Sequence, residues 1–239
     1  MSGLLKMSSS GPLPILAIVI LVALLIILMP LVLLGLVGAA FSRLGFSWIE
    51  AVAVILLMLL GSVVNIPIRT VQRTMKKTGG DSPAVFDAFT GEPVRDERAV
   101  TTLSLNLGGA VIPCAVSVYL LIQMHNVIGE SVYVHAAVAL LIVAVITKIL
   151  TTVTPADGVR APLLVPAASA VLCGVILTGS TGLAAAVVAF VAGTMGTLLG
   201  AGIFAIPSIK TLGAPALSIG GAGMFGTVFI CGILAALIA

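Results

Sequence analysis

Seven long apolar runs dominate this sequence, and they constrain its fold more than any other feature. Polar stretches separate them, and no run carries an acidic residue in its interior. A helix needs about 20 apolar residues to cross the hydrocarbon of a bilayer. We therefore predict seven transmembrane helices, at about 14–40, 48–64, 108–124, 132–150, 161–177, 182–200 and 217–238.

The composition excludes a water-soluble domain. Hydrophobic residues make up 60% of the 239 residues and charged residues only 8%, whereas soluble domains carry about 45–50% and about 25%. These few charged side chains cannot cover a globule of this size. The sequence therefore predicts an all-α polytopic membrane protein, with one transmembrane domain over 1–239, located in the cell membrane (inner or cytoplasmic membrane).

The positions of Lys and Arg predict an orientation. If the seven runs cross the bilayer alternately, one side receives ten basic residues and the other receives only Arg43. Cytoplasmic loops carry an excess of Lys and Arg, so we expect the N-terminus in the cytoplasm and the C-terminus outside. The ten residues are Lys6, Arg69, Arg73, Lys76, Lys77, Arg95, Arg98, Lys148, Arg160 and Lys210.

The segment 65–106 is expected to be a cytoplasmic loop that holds most of the charged residues. Thr90-Gly91-Glu92-Pro93 is typical of a turn, and the flanks 84–89 and 100–105 partly alternate between apolar and polar residues. This pattern is compatible with a small β-hairpin. A solvated basic-then-acidic loop is the alternative.

The apolar runs offer few groups for catalysis or for a metal. Their interiors contain no Asp or Glu for a proton relay, and the runs contain no metalloprotease, serine-hydrolase or nucleotide-binding motif. His125 and His135, beside Met124 and Glu130, are weak metal candidates. We favour the alternative that they are polar residues at the membrane interface. The sequence predicts no metal site, no cofactor and no nucleic-acid partner.

Glycine-rich stretches next to asparagines mark a candidate binding site on the predicted cytoplasmic face. Helix N-termini there would present unpaired N–H groups and a partial positive charge. Such a site could bind an anion or a lipid headgroup, although helix capping and tight packing explain the same residues. The candidate binding residues are Asn65, Asn106, Gly108, Gly109, Gly220, Gly221, Arg160 and Lys210.

Four ordered stretches carry a family resemblance: Gly61–Ile68 (GSVVNIPI), Asn106–Pro113 (NLGGAVIP), Gly193–Ala201 (GTMGTLLGA), and Leu212–Gly223 (LGAP, then SIGGAG). In this order they resemble the uncharacterised domain-of-unknown-function family 1614, multipass membrane proteins of archaea and bacteria. The resemblance implies a membrane protein of this size without an assigned activity. The family's last helix is expected to carry an acid in a Phe-Asp-Gly pattern, where this chain has Phe225-Gly226-Thr227.

Three functions stay open at this point. A non-enzymatic scaffold or accessory subunit of a membrane complex fits the missing ionisable groups and the small-residue helix faces. A facilitator or transporter of a small solute or anion fits the glycine-rich breaks at the cytoplasmic face. An intramembrane enzyme is the least supported, because the interiors of the runs lack carboxylates. The expected partners are the lipid bilayer, other membrane subunits or a second copy of the chain.

Overall fold

The computed structural model describes residues 12–73, 99–154, 158–208 and 216–238. This part of the chain forms seven helices of 14 residues or more. They are α1 (Pro12–Ser42), α2 (Trp48–Gly61), α3 (Ile112–Ile128), α4 (Ser131–Leu150), α5 (Val165–Thr178), α6 (Leu183–Thr197) and α7 (Ala222–Leu237).

Four helical stretches are long and apolar enough to cross a membrane. The helices α2, α5 and α7 are apolar as well, but they have 14 to 16 residues. At a rise of 1.5 Å per residue each covers at most about 24 Å, less than the hydrocarbon thickness of about 30 Å. The fold is therefore mainly helical and suited to a membrane. The four stretches are Ile18–Ser42, Leu107–Val127, Ser131–Leu150 and Leu183–Ser208.

The expectation of an all-α fold needs a correction, because the described chain also contains five strands. A three-stranded sheet has the order β1-β2-β5, with β1 and β2 antiparallel and β2 and β5 parallel. β3 and β4 form a separate antiparallel pair. The strands are β1 (Asn65–Arg73), β2 (Ala99–Asn106), β3 (Thr152–Thr154), β4 (Gly158–Arg160) and β5 (Ala216–Ile219).

The strand pairing corrects the prediction of a hairpin within the segment 65–106. The predicted strand 100–105 lies within β2, but β2 pairs with β1 on one side and with β5 on the other. The predicted partner 84–89, and the turn between the two, lie outside the described residues. The strand that forms the hairpin with β2 is therefore β1, rich in the β-branched residues that favour extended chain.

Three helices are shorter than expected at the end that meets the sheet. The helix α2 stops at Gly61 rather than at 64, and α5 begins at Val165 rather than at 161. Pro166 lies in the first turn of α5, where its missing N–H costs nothing. The helix α7 begins at Ala222 rather than at 217. Gly220 has a positive φ of 77°, which is incompatible with a right-handed helix and therefore prevents α7 from starting before it.

Two π-helical turns lie next to these breaks. The turn Leu107–Val111 leads directly into α3. The turn Leu198–Gly202 follows α6, and a 3₁₀ turn over Ile203–Ala205 continues it. The sixth helix was predicted to end at 200. In the structure the helical chain continues beyond that residue, but as π and 3₁₀ turns rather than as a regular α-helix.

The helix α6 occupies the centre of the bundle and packs against α3, α4, α5 and α7. Ten consecutive residues, Ala185–Thr194, are all buried. Small residues allow this close approach: a Cβ atom at Gly196 would lie 3.0 Å from Val143 of α4. Small residues are the usual contact surface between helices in lipid.

By contrast, α1 packs only through its last third. Val37, Ala40 and Phe41 are buried, and Phe41 packs edge-on against Phe190 of α6 with ring centroids 5.9 Å apart. The described side chains from 16 to 32 are all exposed. Pro30 lies inside the helix, where we expect a kink.

The bundle has two different ends. At the turn end, the short connections 43–47, 129–130 and 179–182 join successive helices, and Gly182 N donates to Ile238 O at 2.9 Å. At the sheet end lie the five strands and both π turns. The candidate binding residues that the structure describes all belong to the sheet end.

Candidate functional site

Asn106 is the centre of the hydrogen-bonded network at the sheet end. It is the last residue of β2, and its side chain is completely buried. Its Oδ1 accepts from Gly109 N at 2.7 Å and so caps the π turn that begins α3. Its Nδ2 donates to Ser62 O at 2.6 Å and to Asn65 Oδ1 at 3.0 Å. One side chain thus joins the end of α2, the first residue of β1 and the start of α3.

Asn65 extends this network to β5. Its Oδ1 accepts a second hydrogen bond, from Ser218 Oγ. Ser218 lies on β5, which pairs in parallel with β2. In that pair, Ser104 Oγ of β2 donates to Leu217 O of β5 at 3.3 Å. The two asparagines therefore connect three chain segments that are far apart in the sequence, and the polar atoms of Asn106 are all used within the protein.

The glycines of the candidate set allow backbones to meet where no side chain would fit. A Cβ atom at Gly108 would lie 1.9 Å from Met58 O of α2. A Cβ atom at Gly109 would lie 2.0 Å from Gly220 O. Gly220 also needs its positive φ of 77°, which L side chains rarely adopt. This geometry supports the capping and packing interpretation of these residues.

The start of α7 is held between β5 and β4. Gly221 N donates to Ser218 O at 3.0 Å, and Gly221 O accepts from Met224 N at 2.8 Å. On the other side, Ala161 N donates to Gly223 O at 2.9 Å. No side chain caps the first turn of α7, so its backbone N–H groups remain the most electropositive part of this helix.

Arg160 lies in a cleft beside this helix start rather than in the asparagine network. It is the last residue of β4 and is exposed. The cleft has a volume of about 350 Å³. Gly226, which occupies the position where the family pattern predicts an acid, forms part of its wall. The residues that line the cleft are Arg160, Ala161, Leu163, Ala222, Gly223, Gly226 and Thr227.

The balance of charged side chains differs between the two ends. Among the side chains that the structure describes, the sheet end carries the basic ones of Arg69, Lys148 and Arg160 and no acidic one. Lys148 Nζ donates to Phe204 O, after the second π turn. The turn end carries both acids of the described chain, Glu50 and Glu130, and one basic side chain, Arg43. The sheet end therefore offers the more favourable potential for an anion.

The structure brings six of the eight candidate residues into one cluster: Asn65, Asn106, Gly108, Gly109, Gly220 and Gly221. Arg160 lies in the adjacent cleft, and Lys210 lies outside the described residues. Sequence reasoning missed Ser62 and Ser218 as partners of the asparagines. Ser104 pairs with Ser218 in the parallel strands. One weak sequence signal indicates this pairing, namely the similarity of Ser-Leu-Asn-Leu-Gly-Gly, which begins at 104, to Ser-Ile-Gly-Gly, which begins at 218.

The two histidines lie at the turn end, on α3 and α4. The ring of His125 stacks on Tyr133, with centroids 5.2 Å apart. The Nδ1 atoms of His125 and His135 are buried and have no hydrogen-bond partner in the described structure. Across the described ranges, no three His, Cys, Asp or Glu residues come together as a metal site would require.

Comparison with known proteins places the chain among relatives without a known activity. No curated protein and no solved structure matches it. One family model, described as a protein of unknown function (DUF1614), matches residues 59–238, which are 180 of the 239 residues. The matched region begins near the end of α2 and contains the asparagine network, the cleft and α6. The chain therefore belongs to the DUF1614 family of proteins of unknown function.

Proposed function

We propose that this protein is a non-enzymatic scaffold or accessory subunit of a complex in the cell membrane. The observation that carries the proposal is the solid centre of the bundle: Ala185–Thr194 of α6 are buried without interruption against four neighbouring helices. A transport path would need polar groups or water along this axis, whereas a scaffold needs a rigid body.

The buried polar groups support the same conclusion. In the described chain they are one amide and five hydroxyls, and none is ionisable. Ser117 Oγ and Thr194 Oγ1 lie 3.0 Å apart, and each also bonds to a carbonyl of its own helix. Hydroxyls that are paired in this way stabilise helix contacts, but they supply no charge for proton or ion coupling.

The proposed topology has seven spans, with the N-terminus in the cytoplasm and the C-terminus outside. It is supported by the basic side chains at the sheet end and by the alternation of sheet-end and turn-end connections along the chain. The three shorter helices would cross together with the extended segments that adjoin them. Such segments are tolerated at membrane depth when protein surrounds them, as it surrounds Asn106.

Labelling of single cysteines tests this topology. Ser2→Cys and Ala239→Cys would be made in a chain whose three native cysteines are replaced by alanine. An impermeant thiol reagent should label position 239 on intact cells, and position 2 only after the membrane is broken. Equal labelling of both positions on intact cells would contradict an odd number of spans.

Native purification tests the scaffold role. The tagged protein is extracted from its own membrane in a mild detergent, and the stoichiometry of co-purifying subunits is measured by native mass spectrometry. We expect at least one further membrane subunit at fixed stoichiometry. Recovery of the chain alone, under conditions that keep known complexes of the same membrane intact, would refute the proposal.

The second candidate function, a facilitator of a small anion, is favoured by the cleft at Arg160. Arg160 lines this cleft together with Ala222 and Gly223, which belong to a first helical turn that no side chain caps, and a basic residue near such a turn attracts anions. Proteoliposomes loaded with chloride, phosphate or acetate would test it. Wild-type protein should release one of them faster than the Arg160→Gln variant, and equal release by both would remove this candidate.

A further inference from the structure

A groove between α2 and α3 opens toward the turn end. At the sheet end, α2 lies close to the π turn that leads into α3: a Cβ atom at Gly61 would lie 3.0 Å from Gly108 N. Farther along, Ala53 of α2 faces a space that Ala115 of α3 also borders, and the groove between them has a volume of about 360 Å³. Small residues on both walls therefore leave room that the protein does not fill.

The floor of the groove is apolar and its mouth is polar. Glu50 lies at the mouth and Leu57, which is 56% exposed, borders the opposite end; the two are seven residues apart, or about 10 Å along the helix. Phe46 and Tyr119 stand beside the mouth with ring centroids 5.3 Å apart. The shape is that of a slot for one apolar chain whose polar end stays at the membrane surface.

Glu50 is held in place and keeps one oxygen available. Its Oε2 accepts from Ser47 N at 2.8 Å, and its own N donates to Ser47 Oγ at 3.3 Å, which together form a capping box. Its Oε1 has no hydrogen-bond partner among the described residues. The mouth of the groove therefore presents a fixed carboxylate oxygen.

We propose that this groove binds an aminophospholipid: one acyl chain lies between Ala53 and Ala115, and the ammonium group of the headgroup pairs with Glu50. The turn that leads into α2 also carries Arg43, the one Lys or Arg among the described residues of the turn end, and this guanidinium is assigned to the lipid phosphate. The proposal requires a location in the membrane, but it does not depend on the scaffold role.

The headgroup, rather than the chain, determines the selectivity. An acyl chain is surrounded by hydrocarbon both in the bilayer and in the groove, so its transfer brings little hydrophobic gain. A primary ammonium donates hydrogen bonds to a carboxylate, whereas the trimethylammonium of a choline lipid has no N–H to donate. A glycerol headgroup leaves the lipid anionic, and Glu50 repels it. The expected order is therefore ethanolamine first, then choline, then glycerol.

Competition between lipids with identical oleoyl chains tests the proposal. Full-length protein is equilibrated with equal amounts of phosphatidylethanolamine, phosphatidylcholine and phosphatidylglycerol, and the retained lipids are counted by native mass spectrometry. We expect wild-type protein to retain phosphatidylethanolamine over phosphatidylcholine by about fivefold, the size of effect that one net hydrogen bond gives.

Two variants and a control assign the effect to the groove. In Glu50→Gln the amide oxygen still caps α2, so the chain should fold and the preference should fall to about onefold. Ala115→Phe should reduce the retention of all three lipids, because its ring fills the slot. Ala168→Phe, at an exposed position of α5, should behave as wild type.

Three outcomes would overturn the proposal. One is equal retention of the ethanolamine and choline lipids by wild-type protein. Another is a choline preference, which would assign the mouth to the aromatic pair of Phe46 and Tyr119. The third is an unchanged ethanolamine preference in both Glu50→Gln and Ala115→Phe, since the lipid would then bind elsewhere.

Discussion

The helices α1 and α6 are both strongly apolar, yet one is exposed and the other is buried. The described side chains of α1 from 16 to 32 all lie on the surface of the bundle, whereas residues 185–194 of α6 are all inside it. The apolar character does not explain the difference, because the exposed helix is the more hydropathic of the two. In a water-soluble protein the order would be the reverse.

Side-chain size explains the difference. From 18 to 34, α1 consists of Leu, Ile, Val and Met, with Ala23 and Pro30 as the exceptions. The sequence of α6, LAAAVVAFVAGTMGT, is rich in Ala, Gly and Thr. Lipid chains are as apolar as leucine, so hydrophobicity does not bring helices together in a bilayer, and close contact between backbones does. Hydropathy therefore indicates which segments enter the membrane, and small residues indicate which of them form its packed core.

The largest expected effect comes from a large side chain placed in the packed helix. A Cβ atom at Gly193 of α6 would lie 2.7 Å from Cys231 Cβ, so Gly193→Leu should destabilise the bundle by about 3 kcal/mol or more. The matched control is Gly35→Leu in α1, where a Cβ atom meets nothing within 4 Å. Thermal unfolding in detergent, followed by size-exclusion chromatography, measures both; similar melting temperatures would refute the comparison.

The next effect tests whether the sheet end belongs to the packed body. Asn106→Ala would leave Ser62 O and Gly109 N without the partners they have now, at a cost of about 2 kcal/mol. Asn126→Ala, at an exposed position of α3, is the control and should change stability little. If both variants unfold at the wild-type temperature, the network is not part of the cooperative unit.

A smaller effect is expected from the hydroxyl pair inside the bundle. Ser117 and Thr194 join α3 to α6, and hydroxyl contacts between membrane helices contribute about 0.6 kcal/mol. A double-mutant cycle with Ser117→Ala and Thr194→Val should give a coupling energy of this size. A coupling energy larger than the effect of Gly193→Leu would mean that polar contacts, rather than small-residue packing, hold α6 in place.

Each of the seven apolar runs overlaps one of the seven helices, because long apolar runs are directly visible in a sequence. The sequence did not predict where one of the helices ends and two of them begin. Leu217 and Ile219 are as apolar as helix residues, yet they lie in β5. The parallel pairing of 102–105 with 216–219 joins segments more than 100 residues apart, and no local pattern contains that information.

The candidate site shows the same division. Sorting the segments by side of the membrane placed Asn65, Asn106 and Gly220 near one another, and the structure brings them together. Their hydrogen-bond partners were not predicted. Ser62 contributes a backbone carbonyl, which has no sequence signature, and Ser218 lies next to Asn65 only because the strands pair in the order β1-β2-β5. The alternation of the apolar runs indicates which of their ends lie together, whereas contacts depend on the tertiary structure.

The smallest expected effect is the sharpest test of the size argument. Ile18, Ile20 and Ile26 of α1 are each more than half exposed, so their joint replacement by leucine should change stability by less than about 0.5 kcal/mol. The matched variant replaces Val187, Val188 and Val191 of α6, each at most 1% exposed, also by leucine. Both variants keep the segments apolar, and hydropathy alone would predict no difference between them. Because the α6 variant adds three methylenes to a filled core, it should lose about 2 kcal/mol or more. Thermal unfolding of the two purified variants gives the answer, and equal tolerance would show that α6 is central for some reason other than the size of its side chains.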